Sequence, residues 1–181
     1  MILLTTSRRP TKRVRTFIKE LERVIPNSLK KPRGKASLRS LREYMILNGF
    51  DKLMIVDNHK GNPRRIHFYK LEEGMLRRVA LIYLKSTSMQ INSKELFVAS
   101  KLSLELDESC FHEEEARKLL NFLREFLQEE VLVNKREGGE LILKVSRINR
   151  DFFIYFLDPI AKRVIRPNLR VEKIVWMTQG G

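Results

Sequence analysis

The sequence predicts an α/β protein in which helices cover both faces of a mixed β-sheet, giving three layers. The main observation is an alternation of two patterns along the 181 residues. Segments with apolar residues at helical spacing are separated by short apolar or alternating runs that end in turn-forming residues. Helical crossovers join parallel strands and tight turns join antiparallel strands, and this chain contains both kinds of connection. We therefore expect a mixed sheet with helices packed against it.

The first half of the chain contains two predicted helices. Pro10 stands where the first helix starts and Pro26 follows its end. Ser37 can cap the second helix, and Gly49 can terminate it. The apolar face of the first helix consists of Val14, Phe17, Ile18, Leu21, Val24 and Ile25. In chain order, the predictions are a strand at 2–6, a helix at 11–25, a basic loop at 27–35, a helix at 38–48 and strands at 52–57, 65–71 and 76–84.

The second half contains one further amphipathic helix, predicted at 111–127. Three glutamates stand near its start, where the helix dipole favours negative charge. Residues 85–95 have no clear pattern and are interpreted as a connector. Two consecutive glycines favour a hairpin turn at 137–140. In chain order, the predicted strands lie at 96–106, on both sides of the 137–140 turn, at 152–157 and at 171–176.

The order of predicted elements repeats between the two halves of the chain. A strand, a polar loop and an amphipathic helix occur at 2–25 and again at 96–127. Each set is followed by paired strands around a glycine-containing turn, at 52–71 and at 131–147. Residue identity between the halves is too low to establish a duplication. The prediction of two structurally similar halves therefore depends on the order of elements.

Basic residues are concentrated near the start of the chain. The net charge is +14, and residues 1–70 hold 18 basic and 5 acidic side chains. The corresponding numbers are 8 and 12 for residues 71–130, and 10 and 5 for residues 131–181. Because like charges repel one another, such an uneven excess favours a polyanionic partner such as a nucleic acid. A solvated surface of the thermostable type is the alternative interpretation.

The basic residues of the first helix are predicted to lie opposite its apolar face, as a stripe that starts at Arg8 if the helix is extended back to that residue. The 27–35 loop would continue this surface. The 62–65 turn would extend it further, although a solvated hairpin explains that turn equally well. The predicted nucleic-acid contacts are Arg8, Arg9, Lys12, Arg13, Arg15, Lys19, Arg23, Lys30, Lys31, Arg33, Lys35, Arg64 and Arg65.

Composition argues against several other classes of protein. Hydrophobic residues make up 43% and charged residues 32% of the chain, as in globular proteins. No apolar run approaches the roughly 18 residues of a membrane span. The four apolar residues at the start are too few for a signal peptide, so we expect a cytoplasmic protein without a membrane partner. Cys110 is the single cysteine, which excludes a disulfide framework and a cysteine metal site.

The sequence contains no arrangement of residues that indicates catalysis. It lacks both the GxxxxGK and the GxGxxG phosphate-binding patterns, and its three histidines are too dispersed for a metal site. Asp57 and His59 could form an acid–base pair, but a turn after a buried strand is the favoured interpretation. Asp151 and Asp158 could bind magnesium in a nuclease, yet nothing places a third carboxylate beside them. We predict no enzyme activity and no cofactor.

Five short motifs occur in order through the first 70 residues. They are LTTSRRPT at 4–11, RTF at 15–17, RGKASL at 33–38, KGNP at 60–63 and FY at 68–69. Together they resemble the archaeal Brix-domain ribosome biogenesis proteins. The resemblance implies a single Brix domain over 1–181, with an N-terminal half of about 1–90 and a C-terminal half of about 91–181. It also implies that each half is related in fold to the anticodon-binding domain of class II aminoacyl-tRNA synthetases.

The same resemblance implies a function. Brix-domain proteins assist rRNA processing and ribosomal subunit assembly and are not known as enzymes. The expected partners are ribosomal RNA or its precursor, together with other ribosome assembly proteins. The alternative is a protein-interaction scaffold within a pre-ribosomal complex, in which the acidic 105–115 segment and the 111–127 helix recruit a protein.

Overall fold

A computed structural model describes residues 1–89, 97–127 and 138–177 of the chain. Nine strands and three α-helices are formed by these residues, together with a short 3-10 helix at Glu108–Cys110. The strands are β1 (Ile2–Thr6), β2 (Ser28–Lys30), β3 (Lys52–His59), β4 (Asn62–Glu72), β5 (Met75–Ser88), β6 (Ala99–Leu106), β7 (Gly139–Ile148), β8 (Asp151–Asp158) and β9 (Arg163–Trp176). The helices are α1 (Lys12–Val24), α2 (Leu38–Leu47) and α3 (Glu114–Leu127).

All nine strands belong to one mixed sheet, in the order β2-β1-β3-β4-β5-β9-β8-β7-β6. β1 is parallel to both β2 and β3, and β6 is parallel to β7. The other neighbours are antiparallel. The predicted mixed α/β fold is confirmed. From β1 through β3 to β5, the pairings are parallel, antiparallel and antiparallel, and the same order holds from β6 through β7 to β9. Structural similarity of the two halves, and their relation to the anticodon-binding domain, stay predictions.

Helix α1 is fixed at its start by a threonine with two roles. The hydroxyl of Thr11 accepts a hydrogen bond from the backbone N–H of Val14, which caps the helix. The same hydroxyl donates to the carbonyl of Gly61 at 2.7 Å, in the turn between β3 and β4. Since the capping residue is Thr11, Arg8 precedes the helix and is not part of it. The helix thus starts close to its predicted position, and the condition under which Arg8 would belong to its basic stripe is not met.

The helices cover both faces of the first half of the sheet. The apolar faces of α1 and α3 share a buried cluster with Leu4 of β1 and Phe68 of β4. Leu41 and Met45 of α2 pack on the opposite face, against Leu3 of β1. Leu3 and Leu4 face opposite ways because successive side chains of a strand alternate. This half has the predicted three layers. In the described part of the second half, the packed helix is α3.

Several boundaries differ from the sequence predictions. The predicted loop at 27–35 contains β2, which pairs with β1 through its backbone and needs no apolar pattern of its own. The predicted turn at 62–65 lies within β4, and β5 continues to Ser88, into the predicted connector. β9 begins at Arg163, earlier than expected. Backbone pairing with neighbouring strands extends these polar segments beyond their local pattern.

The predicted hairpin at 137–140 is not found in the described residues. The segment 128–137, which contains its first strand, lies outside them. Gly139 starts β7, whose two neighbours in the sheet are β6 and β8. The hairpin in this region joins β7 to β8, and its turn includes Asn149 with a positive φ of 59°.

Candidate nucleic-acid interface

A pocket opens where β1 and β2 end. The chain leaves β1 towards α1 on one face of the sheet and leaves β2 towards α2 on the other face. Because β1 and β2 are parallel neighbours, the two connections diverge and leave a crevice beyond their carboxyl ends. Its volume is about 380 Å³. We call it the switch-point pocket, and its basic lining residues are Arg8, Arg15, Lys19, Lys30, Lys31 and Arg33.

Protein contacts hold several of these cations in place. The guanidinium of Arg15 donates to the carbonyl of Pro10 at 3.0 Å, and Nε of Arg33 donates to the carbonyl of Ala36 at 3.1 Å. The ammonium of Lys31 lies 3.9 Å from the ring centroid of Tyr44. Within residues 1–89, 97–127 and 138–177, a single member of the set is within 4 Å of a carboxylate. It is Lys30, whose ammonium is 3.9 Å from Glu22.

The charge in the pocket is largely uncompensated, and Arg33 shows the consequence. Burial lowers the pKa of the Arg33 guanidinium, and the positive charge of Arg8 lowers it further. Both effects mean that the cationic form is destabilised by its surroundings. An anion placed between these two side chains would relieve that cost, so the pocket is suited to a phosphate group.

A shallower depression adjoins the pocket on the α2 face of the sheet. Arg8 and Arg33 line it as well as the switch-point pocket. The rings of His67 and Tyr69, two residues apart on β4, stack with centroids 6.5 Å apart and planes 18° from parallel. We call this depression the aromatic shelf, which is lined by Ser7, Arg8, Arg33, Leu38, Ile55, Asp57, His67 and Tyr69.

Asp57 fixes one side of the aromatic shelf. Its carboxylate lies 3.0 Å from Nε2 of His67 and 2.8 Å from Nε of Arg65. Because a carboxylate only accepts hydrogen bonds, Nε2 of His67 carries the donated hydrogen when Asp57 is ionised. The acid–base pair of Asp57 with His59 is not formed, since Asp57 contacts the next strand and His59 is exposed at the end of β3.

The stability that the contacts of Asp57 provide should depend on pH. Burial raises the pKa of Asp57, but hydrogen bonds from His67 and Arg65 outweigh it, so the pKa lies below the usual 3.8. The stabilising contribution is therefore present above that value and is lost as the pH falls through the folded-state pKa. We expect Asp57→Asn to lower the free energy of unfolding at pH 7, by an amount that shrinks below about pH 4. Urea titrations at pH 7 and pH 3 measure this, and an equal loss at both values would contradict it.

A second basic pocket lies at the turn between β3 and β4. It has a volume of about 390 Å³ and is lined by Arg13, Lys60, Arg64 and Lys85 among others. Arg64 is already engaged, since its guanidinium lies 2.6 Å from the carboxylate of Glu172. Lys60 and Lys85 were not among the predicted contacts.

The thirteen predicted basic residues lie at different places in the structure, and only some of them line a pocket. Six line the switch-point pocket, where residues of α1 and of the 27–35 segment meet. Arg13 and Arg64 line the second pocket, and Arg65, on the opposite face of β4 from Arg64, binds Asp57. Lys12, Arg15 and Lys19 are exposed and lie away from the buried face of α1, and their use as a continuous nucleic-acid contact stays a prediction. The residues that line neither basic pocket nor the aromatic shelf are Arg9, Lys12, Arg23, Lys35 and Arg65.

The aromatic shelf is the part of the interface that sequence reasoning did not single out. From sequence alone Tyr69 could stack on an exposed base, but packing at the core or rim is the favoured interpretation of such a residue. The alternation of β4 places Arg65, His67 and Tyr69 on one face, and that pattern could have indicated a polar, aromatic strip beside the basic residues.

The other candidate residues have partners within the protein. The carboxylate of Asp151 is 3.1 Å from the ammonium of Lys85 and 2.6 Å from the guanidinium of Arg170. Asp158 accepts hydrogen bonds from two backbone N–H groups of the following turn, each at 3.0 Å. Across the described ranges, no three His, Cys, Asp or Glu side chains are grouped so that they could hold a metal ion. Nor does any helix there have the length and apolar character needed to cross a membrane.

Comparison with known proteins identifies relatives of this chain, although no family model matches it. It is 40% identical over 90 residues to a probable Brix domain-containing ribosomal biogenesis protein of Pyrococcus horikoshii. That alignment covers 50% of this chain and 40% of the relative. A protein of the same description from Methanococcus maripaludis is 26% identical over 173 residues, which is 96% of each chain.

The chain is similar to archaeal Brix domain-containing ribosomal biogenesis proteins. The resemblance inferred from the sequence motifs is thus confirmed. The crystal structure of a probable ribosomal biogenesis protein from Aeropyrum pernix K1 has the same fold, with a TM-score of 0.72 over 95% of both chains at 24% identity. The part aligned with the Pyrococcus Brix protein spans less than half of that protein's length.

Proposed function

We propose that this Brix-related chain is a non-catalytic ribosome biogenesis factor of the cytoplasm that binds ribosomal RNA or its precursor. In this role it assists rRNA processing and subunit assembly, alongside other assembly proteins. The observation that carries the proposal is the convergence of six cations on the switch-point pocket, five of them without a carboxylate partner in the described residues. The description of the relatives as ribosomal biogenesis proteins supports it.

The physical basis of binding is the exchange of counterions for protein cations. Lysine and arginine side chains that neutralise RNA phosphates release condensed counterions, which makes affinity fall with salt. The arginines of the pocket can also grip a phosphate through two parallel hydrogen bonds, whereas the lysines act as point charges. The predicted contacts outside the pocket, such as Arg9 and Lys35, would extend the path of the RNA backbone.

We also infer that the two halves of the chain share one arrangement, related to the anticodon-binding domain of class II aminoacyl-tRNA synthetases. The repeated order of strand pairings in β1–β5 and β6–β9 supports this inference. The basic pocket, however, belongs to the first half, since its cations come from residues 8–33.

Equilibrium binding across a salt series tests the proposed function. Fragments of precursor rRNA, a tRNA and a DNA duplex are each titrated between 50 and about 300 mM salt, because phosphate contacts alone make affinity fall steeply in this range. We expect particular rRNA fragments to bind more tightly than tRNA or duplex DNA, with the preference kept at physiological salt. Equal affinities that decline together would show general attraction to polyanions and would contradict a sited rRNA-binding factor.

A protein-interaction scaffold is the second candidate, and one observation favours it. The outer surface of α2 exposes apolar side chains, with Leu47 84% and Ile46 51% accessible. The acidic 105–115 segment is a weaker candidate, because Glu113 pairs with Arg147 and Glu105 lies 3.8 Å from Lys144. A complex in cell extract that persists after nuclease treatment, and that is lost on Leu47→Ser, would support the scaffold.

A further inference from the structure

The switch-point pocket and the aromatic shelf are separated by two arginines that belong to both. Arg8 follows β1 and Arg33 follows β2, and each lines both depressions. Neither has a carboxylate within 4 Å among the residues that the structure describes. A ligand that reached from the pocket to the shelf would therefore pass directly over two uncompensated guanidinium groups.

The arginine side of this site is suited to a phosphate. Nε of Arg33 is held by the carbonyl of Ala36 at 3.1 Å, and its two terminal nitrogens have no hydrogen-bond partner among the described residues. The positive charge of Arg8 is near enough to lower the pKa of Arg33. A phosphate between the two would accept hydrogen bonds from both guanidinium groups, which match phosphate geometry better than ammonium groups do.

The shelf side is suited to a flat, partly apolar group. Leu38 and Ile55 supply aliphatic surface, and the half-buried ring of Tyr69 stacks on that of His67. The Asp57 contact holds His67 in its orientation. Aromatic rings that are fixed beside cations form the usual platform for a nucleic acid base, because every base has a stacking face.

We infer that the pocket and the shelf together hold one unpaired nucleotide of an RNA strand. Its phosphate lies between Arg8 and Arg33, and its base stacks on Tyr69. This inference rests on the proposed function and adds the form of RNA that the site selects. A base inside a regular A-form duplex is stacked and paired, so it is not free to stack on a ring that lines a depression. The site therefore prefers loops, bulges or single strands.

A pair of variants at Tyr69 tests the base-stacking part. Tyr69→Leu keeps an apolar side chain of similar size but removes the aromatic face, whereas Tyr69→Phe keeps that face. Binding to a labelled single-stranded RNA of about 12 nucleotides is compared with binding to a duplex of the same sequence. We expect Tyr69→Leu to weaken single-strand binding about tenfold and to leave duplex binding unchanged. Tyr69→Phe should retain the affinity of the unaltered protein for both.

Several outcomes of this experiment would overturn the inference. Tyr69→Leu could weaken binding of the single strand and of the duplex equally, or weaken neither. Either result would mean that RNA contacts the protein through phosphates alone, and the proposed function would still hold. Free uridine monophosphate could also compete with the RNA at similar concentrations. That result would mean that the ligand of the site is a mononucleotide and not an RNA strand. Failure of the unaltered protein to bind any RNA would overturn both this inference and the proposed function.

A cross-linking measurement on the unaltered protein does not depend on how the variants fold. Single-stranded RNA that contains 4-thiouridine is bound, irradiated and digested together with the protein by nuclease and trypsin. Trypsin cuts after Arg65 and Lys70, so the shelf rings fall within the peptide IHFYK at 66–70. We expect this peptide to carry cross-linked uridine. Cross-links confined to other peptides, with RNA still bound, would place the base elsewhere and overturn the inference.

Discussion

Replacing Phe126 by alanine is expected to lower the free energy of unfolding by about 3–5 kcal/mol. The side chain of Phe126 is fully buried, and its ring meets that of Phe68 edge to face at 5.0 Å. Phe122 of the same helix packs on Phe68 at 5.2 Å and on Trp176 at 5.2 Å. These rings join α3 to β4 and to β9. Truncation would remove the apolar contacts and leave a cavity that the neighbouring rings are too rigid to fill.

Urea unfolding measures this loss, and Trp176, the single tryptophan of the chain, provides the fluorescence signal. The matched control is Phe111→Ala, because Phe111 is 49% exposed and has the same chemistry. We expect the control to change the free energy of unfolding by less than about 1 kcal/mol. A similar loss for both variants, or a loss below about 1 kcal/mol for Phe126→Ala, would contradict the close packing of Phe126 against these rings.

Removing three charges from the switch-point pocket should make RNA binding less sensitive to salt. The variant replaces Arg8, Arg15 and Lys19 by glutamine. Each phosphate contact on a single strand contributes about 0.7 to the slope of log K against log salt, so losing three contacts should reduce the slope by about 2. The three side chains are exposed, so we expect the fold to be retained. Titrations of single-stranded RNA at four or more salt concentrations measure the slope.

A charge-matched variant distinguishes the pocket from net charge. Arg150, Lys162 and Lys173 are exposed cations of the second half, and replacing all three by glutamine removes the same total charge. We expect this variant to keep the slope of the unaltered protein. Equal reductions in both variants would mean that RNA responds to the overall charge of the protein, and that the pocket residues have no special part in binding.

Local sequence patterns were sufficient for most elements of this fold. The apolar spacing of Val14, Phe17 and Leu21 predicted α1, and all three are buried. Ser37 was predicted as the cap of α2, and its hydroxyl accepts a hydrogen bond from the backbone N–H of Ser40. Such features depend on residues a few positions apart, so they can be inferred before any tertiary contact is known. β2 could not be inferred in this way, because it is a strand only through its pairing with β1.

The candidate site could be predicted in part. The excess of basic residues before residue 36 indicated an anionic partner, and six of the thirteen predicted contacts meet in one pocket. Asp57 was considered beside His59, with a turn as the favoured interpretation, but its partner is His67 on the adjacent strand. The engagement of Arg64 by Glu172 likewise joins residues more than a hundred positions apart. The spacing of residues along the chain does not predict such long-range contacts.

Periodicity, composition and the short motifs of the first 70 residues established the helices, the basic character and the resemblance to Brix-domain proteins, because each of these is a local property of the chain. The position of the site was decided by tertiary structure. β1 lies between β2 and β3, with Ile2 beside Ser28 on one side and Lys52 on the other. This long-range pairing sends α1 and α2 to opposite faces of the sheet. Only the resulting crevice brings Arg8 and Arg33 together beside Tyr69.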